Sequence, residues 1–265
     1  MGVSVLGAVR VDGVPRLAPR EQIVLSVLAL RNGDVTSTGT LADAIWGDDL
    51  PGTWRKQLQA SVGVVRRAVG KERIETSANG YRLQLEDSDL DIARFENQIG
   101  RGRMHLDGGQ PGRAVAELRR SLAIAPTDPF PALRGWRGAA DEIARILELR
   151  HGVEDDLLRA RLATGDHPTV AADAARSVAA EPLREARWWA LALAQYRSGR
   201  QGEALATLRR VRALLADELG ADPGSELQAL ETAILQQDPG LLDVPATQDG
   251  DELCPYPGLA PMPLS

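Results

Sequence analysis

One cysteine, two lysines and three histidines leave this 265-residue chain short of the side chains on which much protein chemistry depends. The lone Cys254 excludes an intrachain disulfide and fits a reducing compartment. His105, His151 and His167 stand apart, with no His-Glu-x-x-His spacing and no cysteine pair, so no metal site is expected. Lys71 follows Gly70 but precedes Glu72, without the earlier glycine that a phosphate-cradling loop needs. A nucleophile elbow is missing as well. Carboxylates are plentiful, but on helical segments with Arg one turn away they read as solvated ion pairs, each contributing little. No catalytic residue, metal or cofactor is therefore expected.

Long apolar runs are also missing. No stretch of 18 apolar residues occurs, and Arg10, Asp12 and Arg16 interrupt the first 17 residues, so neither a membrane span nor a signal peptide is expected. These absences place the chain in the cytoplasm. Its length suits one or two domains, and a hydrophobic content of 43% is enough for packed cores. The net charge of −6 is unevenly spread: residues 1–85 carry +3 and the remainder −9. A basic first part with an acidic second part has the sign expected of a nucleic-acid reader joined to a domain that limits nonspecific adhesion; ordinary scatter gives the same numbers.

What is present begins with helical punctuation between Val35 and Leu85. Ser37 can cap a short helix carrying Leu41, Ala44 and Ile45, which stops at Trp46-Gly47. After the turn from Asp48 to Gly52, a second helix runs from Trp54 to Val69 and stops at Gly70, with Leu58, Val62, Val65 and Val69 as its apolar stripe. Half a revolution away lie Thr53, Lys56, Ala60, Gly63 and Arg67, flanked by Gln57, Gln59, Val64 and Arg66. Small residues allow close approach to a groove, amides and Arg can read base edges, and cations neutralise phosphate. The same face would also serve a merely solvated helix.

Ile74 to Thr76 and Tyr81 to Leu85 alternate across Asn79-Gly80, a strong hairpin signal and a candidate wing. Upstream, Val3 to Val11 and Val14 to Leu17 flank Asp12-Gly13, a second hairpin signal. Pro19 then opens a helix with Ile23, Val24, Val27 and Leu28 inward. Strands, three helices and a hairpin follow one another in the order of a winged helix-turn-helix.

These residues carry a family resemblance. Val35-Thr36-Ser37, Leu41, Ile45-Trp46-Gly47, Leu58-Gln59, Val62, Val65-Arg66-Arg67, Ile74-Glu75-Thr76 and Gly80-Tyr81 resemble the Streptomyces antibiotic regulatory protein family. The likeness continues through Asp91, Ala93, Arg94-Phe95, Gly109 to Ala114, Pro182-Leu183-Arg184-Glu185, Tyr196 to Gln201, Glu203-Ala204-Leu205 and Glu218 to Gly224, covering roughly residues 3–240. The resemblance implies a winged helix like those of response regulators, followed by a helical bacterial transcriptional activation domain. It also implies paired binding to promoter direct repeats in double-stranded DNA, recruitment of RNA polymerase, self-association as a homodimer and a nucleoid-associated location. Three positions depart from the family: Val64 stands where many members have a basic residue, Gly39 where many have an acidic one, and Gly63 where a hydroxyl residue is typical. These departures imply an altered sequence preference.

The remainder reads as helices. Leu90 to Leu106 carries Ile92, Phe95 and Ile99; Pro111 to Ile124 carries Ala114, Leu118 and Leu122; Gly108-Gly109 joins them. Further helical segments cover Gly138 to Ala163, Val170 to Ala180, Glu185 to Tyr196, Gly202 to Leu219 and Glu226 to Leu235, with His167-Pro168, Pro182, Ser198-Gly199 and Pro223-Gly224 between them. Trp189, Tyr196, Gly199 and Ala204 sit near tetratricopeptide-repeat offsets, although as single residues the aromatics read equally as core.

The expected architecture is mainly α: a winged-helix domain with small β-hairpins over residues 1–88, an all-α tetratricopeptide-like domain over 89–238, and a flexible tail over 239–265. Within the tail, Cys254-Pro255-Tyr256-Pro257-Gly258-Leu259 resembles the junction at which large family members enter a nucleotide-binding domain; a truncated relative and a remnant motif both remain open. The expected function is a sequence-specific transcriptional activator. Its DNA contacts would come from Thr53, Lys56, Gln57, Ala60 and Arg67, with Arg66 at the edge and Thr76, Asn79 and Arg82 on the wing. The alternative is a protein-interaction adaptor with a degenerate DNA-binding domain, which Gly63 and Val64 motivate.

Overall fold

Every segment with helical period forms a helix in the computed structural model, which describes residues 1–242. The candidate junction motif around Cys254 lies outside the described residues. Two compact units are present: residues 1–103 together with 115–157, and residues 104–114 together with those from 158 onward.

The first unit opens with β1 (Val3–Ser4) and β2 (Arg10–Val11), paired antiparallel as Val3↔Val11 and Ser4↔Arg10. The hairpin expected at Asp12-Gly13 is therefore displaced. The chain reverses within residues 5–9 instead, and Val14 to Leu17 forms no strand. Asp12-Gly13 makes a turn that closes on the N-terminus: Gly13 takes φ +73°, and the Asp12 carboxylate accepts the Gly2 N–H at 2.6 Å. Asp12-Gly13 does turn the chain, but its partner is Gly2 and not a following strand, so the expected hairpin does not form there.

Three helices build the core of this unit. Helix α1 (Pro19–Leu30) buries Val24, Leu25, Ser26, Val27, Leu28 and Ala29, so it is enclosed on most sides, while Ile23 is only half-buried. Helix α2 (Thr38–Trp46) is capped by Ser37, whose Oγ accepts the Thr40 N–H at 2.9 Å, and ends at Gly47 with φ +53°. Helix α3 (Trp54–Val69) buries the expected stripe of Leu58, Val62, Val65 and Val69, together with Ser61 and Ala68. Each buried aliphatic of that stripe is worth roughly 1.5–3 kcal/mol relative to exposure. Ser61 donates to Glu21 of α1 at 2.9 Å, which fixes α3 on the core.

The sheet beside these helices has three antiparallel strands in the order β3 (Val35–Ser37), β5 (Gly80–Leu83), β4 (Ile74–Ser77). β3 is too short to show periodicity. The β4–β5 turn consists of Ala78 and Asn79, one residue earlier than the Asn-Gly signal implied. Neither residue has positive φ, and Gly80 is already paired with Ser77 and Ser37. Gly80 is needed for another reason: a Cβ there would lie 1.9 Å from the Thr36 carbonyl oxygen.

The first unit is completed by parts of α4 (Asp91–Asp107), α5 (Pro111–Ile124) and α6 (Ala140–Ala163) and by the segment between α5 and α6. Phe130 in that segment is fully buried at φ +54° and donates its N–H to Leu6 O at 2.8 Å. Asp91 at the start of α4 is also buried, and its Oδ2 accepts the N–H groups of Val5 and Leu6, both at 2.9 Å.

The second unit contains α7 (His167–Ala180), α8 (Glu185–Arg197), α9 (Gln201–Leu219) and α10 (Ser225–Gln236). His167-Pro168, read from the sequence as a separator, is the first turn of α7, where proline loses no helical hydrogen bond. Its core gathers Leu158, Leu162, Val170, Trp188, Leu191, Leu193, Leu208, Val211, Leu227 and Ile234, among others, with Trp189 and Tyr196 packed against it half-buried. Arg161 is buried too, and its charge is met by Asp166 at 2.7 Å and Asp173 at 2.6 Å. Beyond α10, Pro239–Leu241 forms a 3₁₀ turn whose Leu241 carbonyl accepts Arg197 Nε at 2.7 Å.

Candidate nucleic-acid interface

Once Leu58, Val62, Val65 and Val69 turn inward, helix geometry forces Lys56, Ala60, Gly63 and Arg67 into one outer strip about 60° wide. Lys56, Ala60 and Arg67 are exposed and Gly63 is half-buried. A Cβ built on Gly63 would meet nothing closer than Arg67 at 3.8 Å, so the strip has a small-residue floor between two cations. Thr53, also exposed, lies at its N-terminal end and accepts a hydrogen bond from Gln57 Nε2 at 2.9 Å. Five of the predicted contact residues thus share a single helix face.

The wing residues behave differently. Asn79 is exposed at the hairpin turn, and its backbone carbonyl accepts the Thr38 N–H at 3.1 Å, so the turn is tied to the start of α2. Arg82 is half-buried on β5 opposite Glu75, with 3.6 Å between NH1 and the carboxylate, which partly neutralises its charge. Arg66 and Thr76 are bound to each other: Arg66 NH2 donates to Thr76 Oγ1 at 2.9 Å and Arg66 Nε to the Ile74 carbonyl at 3.1 Å. Sequence spacing could not show that link, because α3 and β4 meet only in the folded unit.

Two further exposed cations, one on α3 and one just after it, were not among the sequence-predicted contacts. Arg55, in the first turn of α3, stacks over Trp54 with 4.4 Å between the guanidinium carbon and the ring centre. Helical period places it away from the Lys56–Arg67 strip, so a face-based reading passes over it. Lys71 lies in the 3₁₀ turn joining α3 to the wing. Its position between a candidate reading helix and a hairpin was the available signal. Among the described residues, no cluster of His, Cys, Asp and Glu has the arrangement of a metal site.

A helix-turn-helix with an attached hairpin, an exposed cationic face on α3 and a separate helical unit together define a winged-helix DNA-binding regulator. The second part matches the bacterial transcriptional activator domain over residues 90–235. The chain is 29% identical to the regulatory protein DnrI of Streptomyces peucetius, covering 86% of this chain and 88% of that one. It is 32% identical to the transcriptional regulator RedD of Streptomyces coelicolor, covering 92% and 73%. With the regulatory protein AfsR of the same organism it shares 33% identity over 92% of its own length, but spans only 25% of that relative. The structure of Mycobacterium tuberculosis EmbR, solved in complex with a low affinity phosphopeptide, superposes with a TM-score of 0.81 at 28% identity, over 90% of this chain and 65% of that one. The chain belongs to the Streptomyces antibiotic regulatory protein family of transcriptional regulators.

Proposed function

We propose that this DNA-binding transcriptional activator recognises a promoter by laying the outer strip of α3 in the major groove. Lys56, Gln57, Ala60 and Arg67 meet bases or phosphates, Thr53 approaches the backbone at the helix start, and Arg66 lies at the edge of the footprint. Thr76, Asn79 and Arg82 bring the wing to the adjacent backbone or minor groove. Two copies bind direct repeats, and the helical part aids self-association and recruits RNA polymerase. The protein works in the cytoplasm on the nucleoid, without a catalytic step or cofactor; no described helix is long and apolar enough to cross a membrane.

The observation that carries this reading is the outer strip of exposed Lys56, Ala60 and Arg67 with half-buried Gly63 between them, on a helix whose opposite face is fully committed to the core. Incubating the purified chain with sheared host genomic DNA at near-physiological salt, and sequencing what stays bound, tests it. Enrichment of promoter fragments sharing a spaced repeat is expected. Uniform retention across the genome would overturn it.

A further inference from the structure

The Arg66–Thr76 link joins the reading helix to a strand that, among the described residues, pairs with another strand on one side only. In the sheet order β3-β5-β4, β4 is the edge, and its carbonyl at Ile74 and hydroxyl at Thr76 are both taken by the one guanidinium from α3. The two acceptors are the Ile74 main-chain carbonyl and the Thr76 side-chain hydroxyl, two residues apart on β4, and Nε and NH2 of the same guanidinium reach them at 3.1 and 2.9 Å. A planar guanidinium can hold two such acceptors at once, whereas a lysine ammonium on its flexible stem cannot reproduce the pair. The turn at the other end of the hairpin is fixed separately, by the Thr38 N–H on the Asn79 carbonyl.

We propose that Arg66 is a positioning residue for DNA recognition: it clamps the wing to the reading helix through Ile74 and Thr76, so that both elements meet DNA at one fixed spacing. This rests on the winged-helix reading given above and deepens it. Arg66 and Thr76 then serve the interface chiefly through each other, and the direct contacts fall to the other residues named above, Thr53, Lys56, Gln57, Ala60 and Arg67 on α3 and Asn79 and Arg82 on the wing. An exposed arginine kept only for phosphate attraction would have its guanidinium in solvent; this one is half-buried with two directed bonds.

Three full-length variants test the clamp: Arg66→Lys, which keeps the charge and loses the fork; Thr76→Val, which keeps the shape and loses the acceptor; and the double variant. The first readout needs no DNA. Hydrogen exchange of the amides of residues 75–82 should rise in all three variants while α3 stays protected. The second uses a duplex copied from a promoter fragment recovered from genomic DNA. Each single variant should bind about tenfold more weakly, with hydroxyl-radical protection fading at the wing flank and persisting beneath α3, and the double variant should be no worse than either. Near-normal binding by Arg66→Lys, or losses that multiply in the double variant, would overturn the clamp and make the two residues independent DNA contacts. Should the unmodified chain select no DNA, the functional reading fails by itself and exchange alone decides the clamp; unchanged hairpin exchange then refutes it.

Discussion

The indole N–H of Trp136 donates to the Asp43 carboxylate at 2.8 Å, joining residues 93 positions apart in the chain. Asp43 lies on α2, and Trp136 follows the buried Phe130 and Leu133 in the segment between α5 and α6. The helix-turn-helix is thus held partly by residues that come well after the wing. Trp136→Phe should lower the stability of this unit by about 1 kcal/mol, the value of one hydrogen bond to a charged acceptor near the surface. A fragment of residues 1–88 should lose much more, because it also lacks Asp91 and Phe130. Urea unfolding followed by tryptophan fluorescence measures the fragment, and circular dichroism serves for Trp136→Phe.

Burial pushes the Asp91 carboxyl up to about 6, although the backbone N–H groups of Leu6 and Val5 pull it the other way. In the unfolded chain the same group titrates near its ordinary 3.8. Between those two values the folded state holds the proton and the unfolded state has released it. The stabilising contribution is therefore full below about pH 4 and disappears as the pH rises through 6, a change on the order of 2–3 kcal/mol. Asp91→Asn keeps an oxygen for the two N–H groups and removes the titration. The stability difference between wild type and Asp91→Asn, measured by urea midpoints from pH 4 to 7, should slope across this window. A flat difference would show that Asp91 titrates alike in both states.

Gly63→Ala should stabilise the protein by about 1 kcal/mol, because the position is interior to α3 and the added methyl makes only an ordinary van der Waals contact, 3.8 Å from Arg67. A rise in the thermal midpoint is the expected readout. The same methyl projects from the proposed groove-facing strip, so DNA affinity should shift independently of stability.

Gly80→Ala should do the opposite. Its Cβ would sit 1.9 Å from the Thr36 carbonyl oxygen, within backbone that cannot move without separating β3 from β5. A loss of about 3 kcal/mol or more is expected, at the upper end for overpacking. Backbone exchange in Val35–Ser37 should rise along with that of the wing.

The two glycines mark the limit of what the sequence discloses. The α3 stripe of Leu58, Val62, Val65 and Val69 could be read directly, since four apolar residues at helical spacing on a 16-residue helix leave little choice of inner face. Lys56, Ala60 and Arg67 followed from it. The helices of the second unit were legible for the same reason. By contrast, Asn79-Gly80 looked like a turn because Asn-Gly usually is one, whereas Gly80 owes its place to Thr36, 44 positions earlier in the chain. Asp12-Gly13 misled similarly, since its partner is Gly2. Strand β3 has only three residues and no period of its own. The Arg66–Thr76 and Trp136–Asp43 bonds depend on tertiary approach, which spacing along a chain does not encode.

The most direct test of the account is the salt dependence of binding by wild type, Lys56→Ala and Arg67→Ala to one duplex recovered from host promoters. If the outer strip of α3 enters the groove, each substitution should weaken binding by about tenfold or more, and a phosphate-contacting cation should make the slope of log K against log salt shallower by about one. Unchanged affinity and slope in both variants would remove this face of α3 from the DNA and contradict the account.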